Sequence, residues 1–253
     1  MGVQRCSFLE DLPPYTNEYR YPRLAGAETV ISREYCRFLD GNKSPCVLFT
    51  HMPRCELKKP GRNRQGRVDY ICSLDMLVLT ILCLPHEEAD CRFGGLVTLK
   101  AAKMNIYRHI SFRGATRANT PEREKEADSS WAPRRLPQGR SWLHELKGDV
   151  TSAISVDIKR PSGNIYITSW ERGIVPTRHH PYPDLRVVEE LKIFRGKNRQ
   201  PPPPRVEGMD IVIPFYDLLL RPPNPAHGET DLKFTKAELL EIAEVVWEDM
   251  DRM

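Results

Sequence analysis

The 253-residue sequence predicts a mainly β protein. Its antiparallel sheets are expected to be sandwich-like, in one large lobe or two small ones, with a short N-terminal helix and a C-terminal amphipathic helix. Three observations carry this expectation. Runs rich in Val, Ile, Leu, Tyr and Thr recur between Gly and Pro breaks at 45–52, 67–84 and 96–112. Residues 151–170 alternate apolar and polar on both sides of Pro161-Ser162-Gly163-Asn164, as a hairpin does. Near the C-terminus, one apolar stripe at helical spacing follows a capping signal.

Taken in order, residues 1–25 are rich in Tyr and Pro without a sustained period and read as an extended arm. Ser32 is placed to cap a short helix over REYCRFLD, which Gly41 would stop. Residues 26–114 then form a β-rich lobe. Within it MLVLTILCLP, at 76–85, is the most apolar stretch. It is too short to cross ~30 Å of hydrocarbon, so it reads as a buried strand and no segment is expected to span a membrane. Residues 115–140 mix charges with almost no aliphatic side chains and read as a polar mobile loop or linker.

Residues 141–253 make a second β-rich lobe with the closing helix. In its hairpin Ile154, Val156 and Ile158 take one face, and Ser155, Asp157 and Lys159 the other. RVVEELKIF and MDIVIPFYDLLL read as further strands, separated by GKNRQPPPPRVEG, a stiff extended spacer. Thr235 is the N-cap of the last helix and Glu238 its reciprocal partner. Leu239, Ile242, Ala243, Val246 and Met250 form the stripe, which would cover a sheet face or edge.

The formal charge of +4 is uneven: residues 229–253 hold eight acidic and three basic side chains, so the remainder is markedly basic. A basic body with an acidic end suits a polyanion, either nucleic acid or an acidic membrane surface, or self-association by opposite patches. All seven cysteines lie in the first 91 residues, and the N-terminus has no apolar stretch of signal-peptide length. Reduced thiols inside a cell, in cytoplasm or nucleus, are the expectation.

Two constellations suggest metal chemistry. Cys46-x4-His51-x3-Cys55 and Cys83-x2-His86-x4-Cys91 would suit a zinc-stabilised RNA-binding module, yet neither has CxxC spacing, and buried free Cys is a common small hydrophobe. Asp149 with Asp157-x-Lys159 has the acid-x-Lys form of a metal-dependent nuclease. The same spacing recurs at Glu56-Lys58, Glu145-Lys147, Glu190-Lys192 and Asp231-Lys233, as a charged composition produces. The P-loop, GxGxxG, GxSxG and HExxH patterns are missing, so no catalytic residue, cofactor or metal ligand is assigned.

Basic clusters are more informative. Arg54, Lys58, Lys59, Arg62, Arg64 and Arg67 crowd a Gly/Pro-containing loop, and Lys192, Arg195, Lys197, Arg199 and Arg205 flank the proline run. Such cations neutralise phosphates of nucleic acid or lipid head groups. Neither cluster interleaves aromatics, so neither offers a stacking platform.

Tyr182-Pro183-Asp184-Leu185 lies between a His- and Pro-rich turn and a strand, held extended by Pro181 and Pro183. A pre-extended peptide costs little entropy to bind, and Tyr182 and Leu185 offer two side chains to pockets. Over these four residues, with Tyr182, Pro183 and Leu185 as the docking positions, the chain resembles the YPxL peptide by which viral matrix and Gag-type proteins recruit host membrane-scission machinery. Leu12-Pro13-Pro14-Tyr15-Thr16 departs from the companion PPxY form, because Tyr15 directly follows Pro14. The expected function is a non-enzymatic assembly or adaptor protein, matrix-like, joining anionic partners to other proteins.

Overall fold

The computed structural model describes residues 12–13, 15–41, 44–57, 66–115, 117–119, 123–134, 151–172, 185–196 and 203–252. In chain order these form β1 (Asn17–Arg20), α1 (Arg23–Leu39), β2 (Cys46–Thr50), α2 (Arg54–Leu57), β3 (Gly66–Ile71), β4 (Met76–Ile81) and α3 (Leu84–Lys103). A 3-10 turn (Tyr107–His109) leads to β5 (Ile110–Phe112), β6 (Arg117–Asn119), β7 (Arg123–Glu126) and β8 (Trp131–Pro133). Then come β9 (Ser152–Lys159), β10 (Asn164–Arg172), β11 (Leu185–Phe194), β12 (Arg205–Gly208), β13 (Ile211–Ile213), α4 (Phe215–Leu219), β14 (Leu232–Phe234) and α5 (Lys236–Arg252).

The chain is β-rich, with helices between and after the strands. Among the described residues there are four sheets, ordered β1-β2-β4-β3-β7-β6, β12-β11-β10-β9, β13-β14 and β5-β8. Every pairing is antiparallel except β1 with β2, which runs parallel from Asn17 opposite Val47. Two compact units result: Met1–Cys83 with Gly114–Asp128, and Leu84–Arg113 with Ser129–Met253.

In the first unit Val47, Phe49, Val68, Tyr70, Leu79 and Ile81 pack with Phe38 and Ala27 of α1. Cys46, Leu48, Met76 and Val78 form a second cluster. Strands β2 and β4 are therefore buried on both faces, which explains why 76–79 is continuously apolar while β3 alternates. Helix α1 is longer than the short helix expected from Ser32, which lies in its interior. Within the helix Glu34 is a buried carboxylate, 4% exposed. It accepts bonds from Asn17 Nδ2 (2.8 Å), the Tyr19 hydroxyl (2.7 Å) and Arg37 Nη1 (2.9 Å), so its burial is paid in full.

Residues 115–140, expected as loop or linker, carry β6, β7 and β8. Strand β7 pairs with β3, and Arg123 grips Asp69 through Nε (2.6 Å) and Nη2 (2.5 Å). A charged composition that resembles a loop is also what an outlying strand of a sheet carries.

The second unit corrects two expected strands. Residues 96–112 are not one strand: α3 runs to Lys103, and only Ile110–Phe112 is extended. Its buried residues Pro85, Ala89, Phe93, Val97 and Ala101 recur every fourth position. Pro85 occupies the first turn, where its missing N–H costs nothing. The β-branched run LVTL thus takes its conformation from packing rather than from propensity. Likewise MDIVIPFYDLLL yields β13 and then α4, because Pro214 ends the ladder and Phe215, Leu218 and Leu219 turn inward.

The hairpin and last helix follow their patterns. Strands β9 and β10 pair with Ile158 opposite Ile165 and Val156 opposite Ile167. Gly163 closes the turn at φ 70°, and a Cβ there would stand 2.5 Å from the Arg195 side chain. Thr235 N donates to Glu238 Oε2 at 2.8 Å and Glu238 N to Thr235 Oγ1 at 3.3 Å, the reciprocal cap. Leu239, Ile242, Ala243 and Val246 then pack with Ile158, Ile165, Ile167, Leu191 and Ile193 of the sheet and Phe93 and Val97 of α3.

Candidate anion-binding surface

The described members of the sequence-selected basic loop are already committed to carboxylates. Arg54 Nη2 lies 2.6 Å from Glu124, which is nearly fully buried, and Arg67 Nε lies 2.8 Å from Asp128. Lys58, Lys59, Arg62 and Arg64 lie outside the described residues, as do Lys197 and Arg199. On the four-stranded sheet the same rule holds. Lys192 meets Glu190 at 2.8 Å, Arg205 meets Glu207 at 2.9 Å, and Arg195 meets Asp251 at 2.5 Å. Lys159 and Arg205 also lie over the Tyr166 and Phe194 rings, at 5.9 and 4.9 Å from their centroids. These are cations with aromatics, but each cation is locally neutralised.

Asp157 and Lys159 form an exposed ion pair of 2.5 Å along one strand, and Asp149 lies outside the described residues. Tyr182 and Pro183 also lie outside them, while Leu185 is the first residue of β11, opposite Arg172. Among the described residues no three His, Cys, Asp or Glu side chains converge as a metal site would require. Cys46 and Cys83 are buried, and burial pushes the Cys46 thiol up from its ordinary value. Among the described residues no cysteine is in a disulfide, and no helix is long and apolar enough to cross a membrane.

A different surface, in the second unit, carries exposed cations together with exposed rings. It is built where the chain leaves α3. Lys103 ends that helix, at the negative end of its dipole. Ile106 turns inward and Tyr107, in the 3-10 turn, turns out at 56% exposure. Strand β5 then pairs with β8, with Ile110 opposite Pro133 facing the core. The next residues on that side are Phe112 and Trp131, also opposite one another. Their ring centroids are 5.8 Å apart at 47°. Trp131 rests against α3 at Gly94, where a Cβ would stand 3.6 Å from its ring. Phe112 lies outboard of it at 62% exposure.

The ladder continues beyond its strands at both ends. Arg134 N–H donates to the His109 carbonyl at 2.6 Å, and Arg113 N–H to the Ser130 carbonyl at 3.0 Å. His109 and Arg134 are thereby neighbours at one end and Arg113 marks the other, all exposed. Lys103, Arg108 and Arg134 make no ion pair among the described residues. Sequence reasoning missed this surface because its cations are sparse. A signal was present nonetheless: residues 91–121 and 129–144 contain no Asp or Glu.

No protein-family model, curated protein or solved structure matches the chain.

Proposed function

We propose that the protein is a non-enzymatic assembly or adaptor protein that binds an anionic partner through the Tyr107–Arg134 surface of its second unit. The observation that carries this reading is the unpaired state of Lys103, Arg108 and Arg134 in segments free of acids. An anion arriving at Arg54 must displace a carboxylate, whereas one arriving at Arg108 displaces only water and salt ions. An intracellular setting suits the cysteines found outside disulfides. The Tyr182–Leu185 peptide, leading into β11, supplies the protein-facing contact in this reading.

Titration with inorganic polyphosphate at several salt concentrations tests the anion site. Arg108→Ala with Arg134→Ala is expected to weaken binding and flatten its salt dependence. An unchanged affinity and slope would reject the proposal.

A further inference from the structure

We infer that the ligand of this surface is a single-stranded nucleic acid, its bases stacked on Phe112 and Tyr107 and its phosphates held by Arg108, Arg134 and Lys103. This deepens the anion-binding reading and rests on it. The argument starts from the alternation of ring and charge over 107–113, Tyr-Arg-His-Ile-Ser-Phe-Arg. In the fold Ile110 leaves this run for the core and Ser111 is half-buried, so the exposed residues are Tyr107, Arg108, His109, Phe112 and Arg113. A duplex offers phosphates but hides its base faces, so it makes no use of Phe112. A single strand offers both, and every base presents a face to a ring.

The support beneath Phe112 favours a rigid platform. Trp131 packs against it at a tilt from β8, and Trp131 is itself backed by α3. A ring fixed in this way loses little freedom when a base covers it. Arginines flank the ring pair along the ladder, Arg134 beside His109 at one end and Arg113 at the other. His109 to Arg113 spans roughly 13 Å at ~3.3 Å per residue, a path that a few nucleotides would follow. A membrane interface would instead favour a contiguous apolar wedge, whereas the aliphatic side chain within this run, Ile110, is buried.

Fluorescence anisotropy with the full chain tests the inference. The probes are a labelled single-stranded oligonucleotide in ribo and deoxy forms, an abasic oligomer of equal length, the matching duplex and vesicles rich in phosphatidylserine. The single strand is expected to bind more tightly than the abasic oligomer. Phe112→Ala is expected to cost the single strand ~5- to 150-fold and the abasic oligomer little, the range that stacking one base supplies. Tyr107→Ala, at a second exposed ring, repeats the comparison independently. Preference between the ribo and deoxy strands assigns the sugar. Equal binding of base-bearing and abasic strands, unmoved by either ring variant, would overturn the stacking inference while leaving anion binding intact. Binding to vesicles with none to the single strand would overturn it in favour of a membrane. Failure of every anionic probe would sink both readings.

Discussion

The arginines of the first unit and those of the 107–134 surface have the same chemistry and opposite circumstances. Arg54, Arg67 and Arg123 each lie within 2.8 Å of a carboxylate, and two of those acids, Glu124 and Asp69, are shielded from water. Arg108 and Arg134 stand exposed with no acid partner among the described residues. The difference teaches that a dense string of Lys and Arg is not the same thing as available charge. What counts is whether the fold brings an acid to each cation. In the first unit β7 delivers Glu124 and the residues after it deliver Asp128; in the second, no Asp or Glu occurs within the two segments that form the surface.

Both circumstances also occur within the second unit, and the largest predicted effect exploits this. Glu229, 6% exposed, accepts Arg221 Nη1 at 2.6 Å and Nη2 at 2.7 Å, and those bonds hold its carboxyl down at about 2. Its folded value is below the unfolded one, so its contribution is fully present above the ordinary carboxylate range and lost as pH falls toward 2. Glu229→Gln should therefore cost about 2–3 kcal/mol at pH 7 and little near pH 2. Urea melts across that range check it, and a pH-independent cost would break the contrast between held and free arginines.

Glu124→Gln comes next. It removes the charge that neutralises Arg54 while keeping the shape, at a cost of about 1–2 kcal/mol in stability. It should also raise polyphosphate affinity, because a held arginine is released. A stability loss with no gain in affinity would show that pairing is not what silences the first unit. Smaller still is the stability effect of Arg108→Ala and Arg134→Ala, expected within ~0.5 kcal/mol because exposed cations without partners contribute little to folding. A larger loss in thermal melts would reveal a structural role for either residue.

How much of this was readable beforehand depends on the range of the interactions. The 151–170 hairpin and the Thr235–Glu238 cap are local devices, and their residues announce them. Helix α1 begins at Arg23, well before the capping signal at Ser32, and its buried Glu34 takes two of its three partners from another element. Helix α3 looks like a strand in sequence because Pro85, Gly94 and Gly95 resemble breaks and its buried stripe is narrow. The candidate surface depends on a still longer reach. Phe112 meets Trp131 only after the chain has passed through β6 and β7 of the other unit, and no local pattern encodes that return. The scarcity of acids around Arg108 was visible; the pairing of Arg54 and Arg67 was not.

Salt dependence of single-strand binding tests the central claim most directly. Slopes of log affinity against log salt are compared for the parent, Arg108→Ala/Arg134→Ala and Arg54→Gln/Arg67→Gln. The account predicts a slope reduced by ~0.7 per cation, about 1.4 in all, for the first double variant and an unchanged slope for the second. A reduced slope in the Arg54/Arg67 variant, with the Arg108/Arg134 variant like the parent, would contradict it.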